Sequence, residues 1–195
     1  MAEKKSVFFT GLDNMKSATS GGFVSLKHGD TMIIRFLDDV DGENALAQYY
    51  EHYVEIGDMR ESVPCVEGIY GECPLDGVGV KKTYRVLINV VDCATGKVLI
   101  LKKGREFVND CITPYVKEYG TLTDRYYKLR GEEKTRGGIT YVGLSMIPVD
   151  KIPDDYPSID FDKLQRTDWE LFLTLPKKEY IEKLAADFVA GNRKD

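Results

Sequence analysis

Four side chains in the first half of the chain have the types and spacing of a metal site. His52 is followed after twelve residues by Cys65, and after seven more by Cys73-Pro-Leu-Asp76, with aspartate where a C-x-x-C knuckle has its second cysteine. Zinc accepts Cys, His and, less often, Asp, and four such ligands complete a tetrahedron. The pattern predicts either a structural zinc at these four residues or a loop that keeps its shape by apolar packing alone.

A second group of residues combines aromatic rings with cations on strands. Tyr126, Lys128 and Arg130 lie on one face of a predicted strand, where a base can stack on the ring while the cations meet phosphates. Further candidates for the same chemistry are Tyr49, Tyr53, Lys81, Lys82, Tyr84, Arg85, Lys102, Lys103, Arg105, Lys134 and Arg136. The alternative is that these tyrosines are ordinary β-residues and that the basic residues protect sheet edges.

Charge is distributed unevenly along this acidic chain. The net charge is −5 over 195 residues, yet residues 81–136 carry 13 basic and 7 acidic side chains, a net of +6. Such a segment between acidic parts is typical of a polyanion-binding region, although solvated strands produce the same pattern.

Few residues favour catalysis. The chain has two histidines and lacks the G-x-S-x-G, Walker A and H-E-x-x-H patterns, so we predict that it is not an enzyme. One alternative is a metal-dependent nuclease that uses Asp38, Asp39, Asp41 or Asp76.

The elements that would position these residues are mostly strands. Alternation predicts strands over 31–37 and 47–56, a hairpin over 83–92 and 97–103, and a final pair over 124–130 and 139–147 around a polar loop at 131–138. Apolar residues at four-residue spacing predict a helix over 105–119. The better helix of the C-terminal part is predicted to begin at Pro176, to bury Tyr180, Ile181, Leu184 and Phe188, and to end at Gly191. Residues 1–22 are predicted to be a flexible arm, 57–82 an irregular insertion, and 149–195 an acidic linker with helices.

This order predicts a mainly β protein, an OB-fold barrel over 23–148 with a zinc-loop-like insertion at 57–82 and C-terminal helices, although a generic β-barrel would fit the same order. No apolar run is long enough for a membrane span, and the N-terminus lacks the apolar region of a signal peptide. We therefore expect a soluble intracellular protein.

Several segments resemble the single-stranded DNA-binding proteins of tailed phages, the T-even-type helix-destabilising proteins and their shorter relatives. The segments that carry the resemblance are 23–37, His52 with Cys65 and Cys73-Pro-Leu, Val90-Val-Asp92, Tyr126-Tyr-Lys-Leu-Arg-Gly131 and Thr140-Tyr141. By position His52, Cys65 and Cys73 match the family's zinc ligands, and Asp76 stands where the family has its last cysteine.

The resemblance implies an OB-fold core with a zinc-binding insertion, acting on single-stranded DNA in phage replication, recombination and repair, in the cytoplasm of the bacterial host. Replication or recombination proteins are the expected partners of the C-terminal segment. The alternative function is a protein-interaction module, an OB barrel that serves as a replication or virion assembly factor without DNA binding.

Overall fold

One antiparallel sheet dominates the structure, a computed structural model that describes residues 22–42, 45–172 and 176–192. Its seven strands are β1 (Thr31–Phe36), β2 (Ala47–Ile56), β3 (Met59–Pro64), β4 (Lys82–Asp92), β5 (Lys97–Gly104), β6 (Tyr126–Arg136) and β7 (Ile139–Val149). The order is β3-β2-β4-β1-β6-β7, and β5 pairs with β4 beside this path. The mainly β class is confirmed, but the sheet is open in the described residues, so the closed barrel is not.

The helices are short except at the C-terminal end. They are α1 (Glu67–Tyr70), α2 (Pro74–Gly77), α3 (Arg105–Phe107), α4 (Thr113–Tyr119), α5 (Trp169–Phe172) and α6 (Lys178–Gly191), with a π-helical turn at Val108–Ile112 and a 3₁₀ turn at Phe161–Lys163. The C-terminal helices and the helical run predicted over 105–119 are confirmed. No helix in the described ranges is long and apolar enough to span a lipid bilayer.

The structure corrects the prediction that the insertion over 57–82 is irregular. Its first part is β3, which pairs with β2 in a hairpin that brings Ile56 opposite Met59. Gly57 makes this tight turn with φ +57°, a backbone conformation that costs glycine little. Alternation is weak in Met59–Pro64, whose first two residues are both exposed and whose last two are both buried, so the strand has no clear sequence signal.

The prediction of a polar loop over 131–138 is also wrong. β6 continues to Arg136 and β7 starts at Ile139, so only Gly137 and Gly138 form the turn. Both have positive φ, as the two central residues of a type I′ hairpin turn require. The charged residues between them and Gly131 lie on a solvated part of the strand rather than in a loop.

The chain divides into two compact units. Among the described residues, the first contains Gln48–Arg85 and the C-terminal segment from Thr167, and the second contains those of Ser20–Ala47 together with Val86–Arg166. The N-terminal arm predicted over 1–22 lies, except for Gly22, outside the described residues.

The first unit has a small core of its own. It consists of buried Val54, Val63, Cys65, Val66, Cys73, Leu75, Val80, Ile181, Leu184 and Ala185. Helix α6 contributes its residues at i, i+3 and i+4 spacing, the stripe expected of an amphipathic helix. Tyr180, predicted to be buried with them, is 43% exposed and donates its hydroxyl to Glu61 at 2.6 Å.

Part of the core of the second unit lies on one face of β1, β6 and β7, and buried residues of β4 and β5 belong to the same unit. Ile34, Phe36, Tyr127 and Leu129 are almost fully buried there, and the rings of Phe36 and Tyr127 are 5.1 Å apart. The helical run 105–119 covers this face, where the hydroxyl of Tyr115 donates to the Met146 carbonyl. The opposite face of the same strands therefore carries Tyr126, Lys128 and Arg130.

Candidate metal centre and nucleic-acid surface

The first unit brings the four predicted metal ligands together. His52 lies on β2, Cys65 directly follows β3, Cys73 precedes α2, and Asp76 lies on α2. Pro74 begins the helix, a position where its missing N–H costs nothing. The hairpin and the short helix thus turn residues that are distant in sequence toward one point.

The ligand atoms have the separations of a tetrahedral site. One ligand atom from each residue lies within 4.8 Å of all the others. Cys73 Sγ is 3.4 Å from His52 Nε2, Cys65 Sγ is 3.5 Å from Asp76 Oδ2, and His52 Nε2 is 3.9 Å from Asp76 Oδ1. Zinc bonds of the usual length place ligand atoms about 3.3–3.8 Å apart, so the group needs little movement to hold the ion.

The surroundings of His52 also fit a metal ligand. Its Nδ1 lies 3.0 Å from the Val80 carbonyl, so Nδ1 carries the proton and Nε2 is free toward the other ligands. Such a bond from the second ring nitrogen orients metal-bound histidines. Burial by itself would lower the pKa of His52, but Cys73, Asp76 and the Val80 carbonyl together raise it.

The pKa values of the two thiols are shifted in opposite directions. A hydrogen bond from Cys65, opposed by burial and assisted by His52 and by the peptide N–H groups of Val66 and Asp76, lowers the pKa of Cys73. The pKa of Cys65 is raised by Cys73 and by burial. Cys73 is therefore the thiol of the pair that ionises more readily, and the thiolate is the form in which cysteine binds metal.

Asp76 and Lys82 complete the charge of the site. Lys82 Nζ is 3.4 Å from Asp76 Oδ2 and 2.7 Å from Glu67 Oε2. Two thiolates, one carboxylate and a neutral imidazole around Zn²⁺ leave an excess negative charge, which a neighbouring ammonium offsets. His52, Cys65 and Cys73 are buried. The donor set fits zinc with all four positions filled by protein, the arrangement of a structural rather than a catalytic site.

In the second unit, two predicted nucleic-acid residues lie on an open strand face. We call Tyr126, Lys128 and Arg130 the β6 basic face. Lys128 and Arg130 are exposed, and the register places Lys128 between Ile33 of β1 and Ile147 of β7. Ile147 is 54% exposed, so cations and uncovered apolar surface adjoin each other.

Tyr126 is less open than its neighbours. Phe161 packs on it with ring centroids 6.3 Å apart, and the guanidinium of Arg35 lies 4.2 Å from the Phe161 ring. Sequence reasoning missed Arg35 and Phe161, although Arg35 was visible as the only cation of β1, on the alternation opposite Ile34 and Phe36.

The remaining candidates of the second unit differ in exposure. Lys134 and Arg136 continue the alternation of β6, and each lies 3.5 Å from a carboxylate oxygen of Glu106. Exposed pairs of this kind contribute little. Lys102 and Lys103 on β5 are half-buried, and Arg105 at the start of α3 is exposed.

The candidates of the first unit are mostly engaged within the protein. Tyr49 is 4% exposed and donates to Glu51, so its ring is not available for stacking, and this prediction is corrected. Arg85 pairs with Glu51 at 2.6 Å, and Lys82 belongs to the surroundings of the metal group. Tyr84 donates to Gln48, whereas Lys81 and Tyr53 are exposed.

Two of the acidic residues considered for a nuclease, Asp38 and Asp39, have structural contacts. Asp38 is buried and accepts hydrogen bonds from the backbone and side chain of Asn89. Asp39 accepts from Thr121 and from the Val40 N–H. Asp41 is exposed. Within the described ranges, the only group arranged to hold a metal is that of His52.

Comparison with known proteins does not identify the chain. No protein-family model matches it, and no curated protein is significantly similar to it.

Proposed function

We propose that this chain is a non-enzymatic single-stranded DNA-binding protein that coats and protects exposed strands during phage replication, recombination and repair. The observation that carries the proposal is the β6 basic face with its neighbours Ile147, which is exposed, and Ile33, which is half-buried. In this view the metal centre is structural and holds the hairpin and α2 of the first unit in place. The same proposal includes that the open sheet is of the OB-fold type.

The chemistry of the β6 basic face suits a flexible polyanion. Alternate side chains on a strand are about 6.6–6.8 Å apart, so Lys128 and Arg130 present two cations in a row along β6. Apolar Ile147 beside them offers a surface for the faces of unstacked bases, which a duplex keeps inside its stack. Phe161 already contacts the Tyr126 ring, so the two cations contribute more to the proposal than the ring does.

Salt-dependent binding of a labelled oligo-dT tests the proposal. Fluorescence anisotropy at several salt concentrations should give an affinity that falls as salt rises, because each neutralised phosphate releases counterions. The double substitution Lys128→Ala with Arg130→Ala should weaken binding about tenfold at low salt and reduce the slope of log K against log salt by about 1.4.

A charge-matched control separates a local site from a general effect. Lys97 and Lys117 are exposed cations outside the β6 basic face, and replacing both with Ala changes the net charge by the same amount. This control should retain the wild-type slope. Absence of binding at low salt would contradict the proposal and favour the protein-interaction module, and equal losses in both double variants would remove the β6 basic face as the site.

A further inference from the structure

The last strand of the sheet is unusual for an edge strand because it has no charged residue. β7, Ile-Thr-Tyr-Val-Gly-Leu-Ser-Met-Ile-Pro-Val, runs for 11 residues in a chain whose residues are 30% charged. Edge strands usually carry lysine or other charges that prevent pairing with further strands. The exposed side chains of β7 include Ile139 at 71%, Tyr141 at 38% and Val142 at 43%.

Half of the outer edge of β7 is covered by the protein itself. The Met146 carbonyl accepts the Tyr115 hydroxyl, and the Met146 N–H donates to the Cys111 thiol. Pro148 has no N–H to offer on this side, which is where proline is tolerated in a sheet. These contacts close the C-terminal half of the edge to any incoming strand.

The other half of the edge is open to pairing. Backbone groups of alternate residues point to the same side of a strand, so Thr140, Val142 and Leu144 direct their N–H and carbonyl groups outward, as Met146 does. β7 ends the sheet, and no described segment pairs with it on that side. The open stretch adjoins the exposed side chains of Tyr141 and Val142.

The opposite end of the sheet shows how this chain protects an edge. There β3 carries Arg60 and Glu61, which bond to Glu55 and to the Tyr180 hydroxyl of α6. Charged side chains of this kind discourage a further strand from pairing at an edge. The open half of β7 has no charged residue of this kind. Its neutrality is therefore a local feature rather than a property of all strands of the sheet.

We propose that the open half of β7, Ile139–Leu144, is a homodimer interface at which two copies of this chain pair antiparallel about a twofold axis. A second copy is the partner that the strand fits, because in the antiparallel pair Val142 lies opposite its own equivalent and Thr140 lies opposite Leu144, with no like charges opposed. A twofold axis makes the contact self-complementary and closes the assembly at two subunits. The paired surface is small compared with obligate interfaces, so the dimer is weak and depends on concentration.

Sedimentation velocity of the full chain without DNA tests the dimer. The wild type should shift from monomer toward dimer as its concentration rises from about 1 to 300 μM, the range that a contact of this size requires. Val142→Lys should abolish the shift, because a lysine at the centre of the pairing stretch faces its own copy. The matched control is Ile147→Lys, on the same strand beside the covered half, which should still dimerise.

Each other outcome overturns the proposal. A wild type that stays monomeric over the whole range contradicts it, whether the edge is then free or occupied by another part of the same chain. Equal loss of association in Val142→Lys and Ile147→Lys places the contact elsewhere. Circular dichroism of all three proteins is compared first, and if Val142→Lys is unfolded, Thr140→Lys replaces it in the same assay.

Discussion

Asp76 is the residue at which the metal pattern departs from four soft ligands, and its surroundings explain how an oxygen serves there. Cys65 Sγ and His52 Nε2 lie 3.5 and 3.9 Å from its carboxylate oxygens, and Lys82 holds the carboxylate from the outside. A carboxylate is a weaker zinc ligand than a thiolate but forms bonds of similar length. The sequence could predict the four residues, but not the Lys82 contact or the Val80 carbonyl that orients His52.

Removing one thiol should remove the metal. Cys73→Ser should lower zinc content from one equivalent to near zero and reduce the free energy of unfolding by several kcal/mol, because metal binding is coupled to folding of such sites. Atomic emission and denaturant unfolding measure the two quantities. Cys93 is equally buried but lies in the other unit, so Cys93→Ser should keep its zinc. Zinc retained in Cys73→Ser would show that the thiol is not a ligand.

Removing the hydroxyl group should change the free energy of unfolding in opposite directions at two buried tyrosines. The Tyr127 hydroxyl is buried and has no hydrogen-bond partner among the described residues, and leaving such a group unpaired costs about 1–3 kcal/mol. Tyr127→Phe should therefore raise the free energy of unfolding by about 1 kcal/mol. Tyr49 bonds to Glu51, so Tyr49→Phe should lower it by a similar amount. Urea denaturation compares the two, and a destabilised Tyr127→Phe would contradict the assignment.

At the scale of the elements, periodicity identified the strands and the helix but misread two glycine-containing stretches. The segment after Gly131 combines a glycine with charged residues, which is typical of a loop, yet it continues β6. Gly131 is glycine for a different reason, since a Cβ there would lie 2.0 Å from the Lys27 carbonyl oxygen. That approach comes from residues a hundred positions earlier in the chain, so local sequence cannot reveal it.

Adding this one methyl group should disrupt the pairing of β6 with the segment before β1. The Gly29 N–H donates to the Gly131 carbonyl, and the Gly131 N–H donates to Asp30, so Gly131→Ala must break or shift both bonds. We expect a loss of more than about 3 kcal/mol in the free energy of unfolding, the scale of severe overpacking. Gly77→Ala has open space around the new Cβ and should change stability by under about 1 kcal/mol. Thermal unfolding of both variants decides whether the close approach exists.

At the scale of the whole molecule, the chain order conceals the two units. The first unit takes α6 from the C-terminal end into the core that contains Cys65 and Cys73, although more than eighty residues of the second unit intervene in sequence. Apolar spacing predicts that α6 buries Ile181 and Leu184, and this is confirmed, but it cannot name the surface on which they pack. That surface is the metal-ligand hairpin with α2.

This division predicts that metal removal and DNA binding respond separately. The core of the first unit includes two of the metal ligands, whereas the β6 basic face belongs to the second unit, with Ile34, Phe36, Tyr127 and Leu129 as its own core. Chelation should therefore speed amide hydrogen exchange in α6 by at least about tenfold, because Ile181 and Leu184 lose the packing of the ligand loops. Exchange in β6 should stay protected, and affinity for oligo-dT should change by less than about threefold.

Hydrogen-exchange mass spectrometry and anisotropy on the same samples measure both, and zinc added back serves as the control. Parallel loss of protection in β6 and of binding would mean that the two units fold as one.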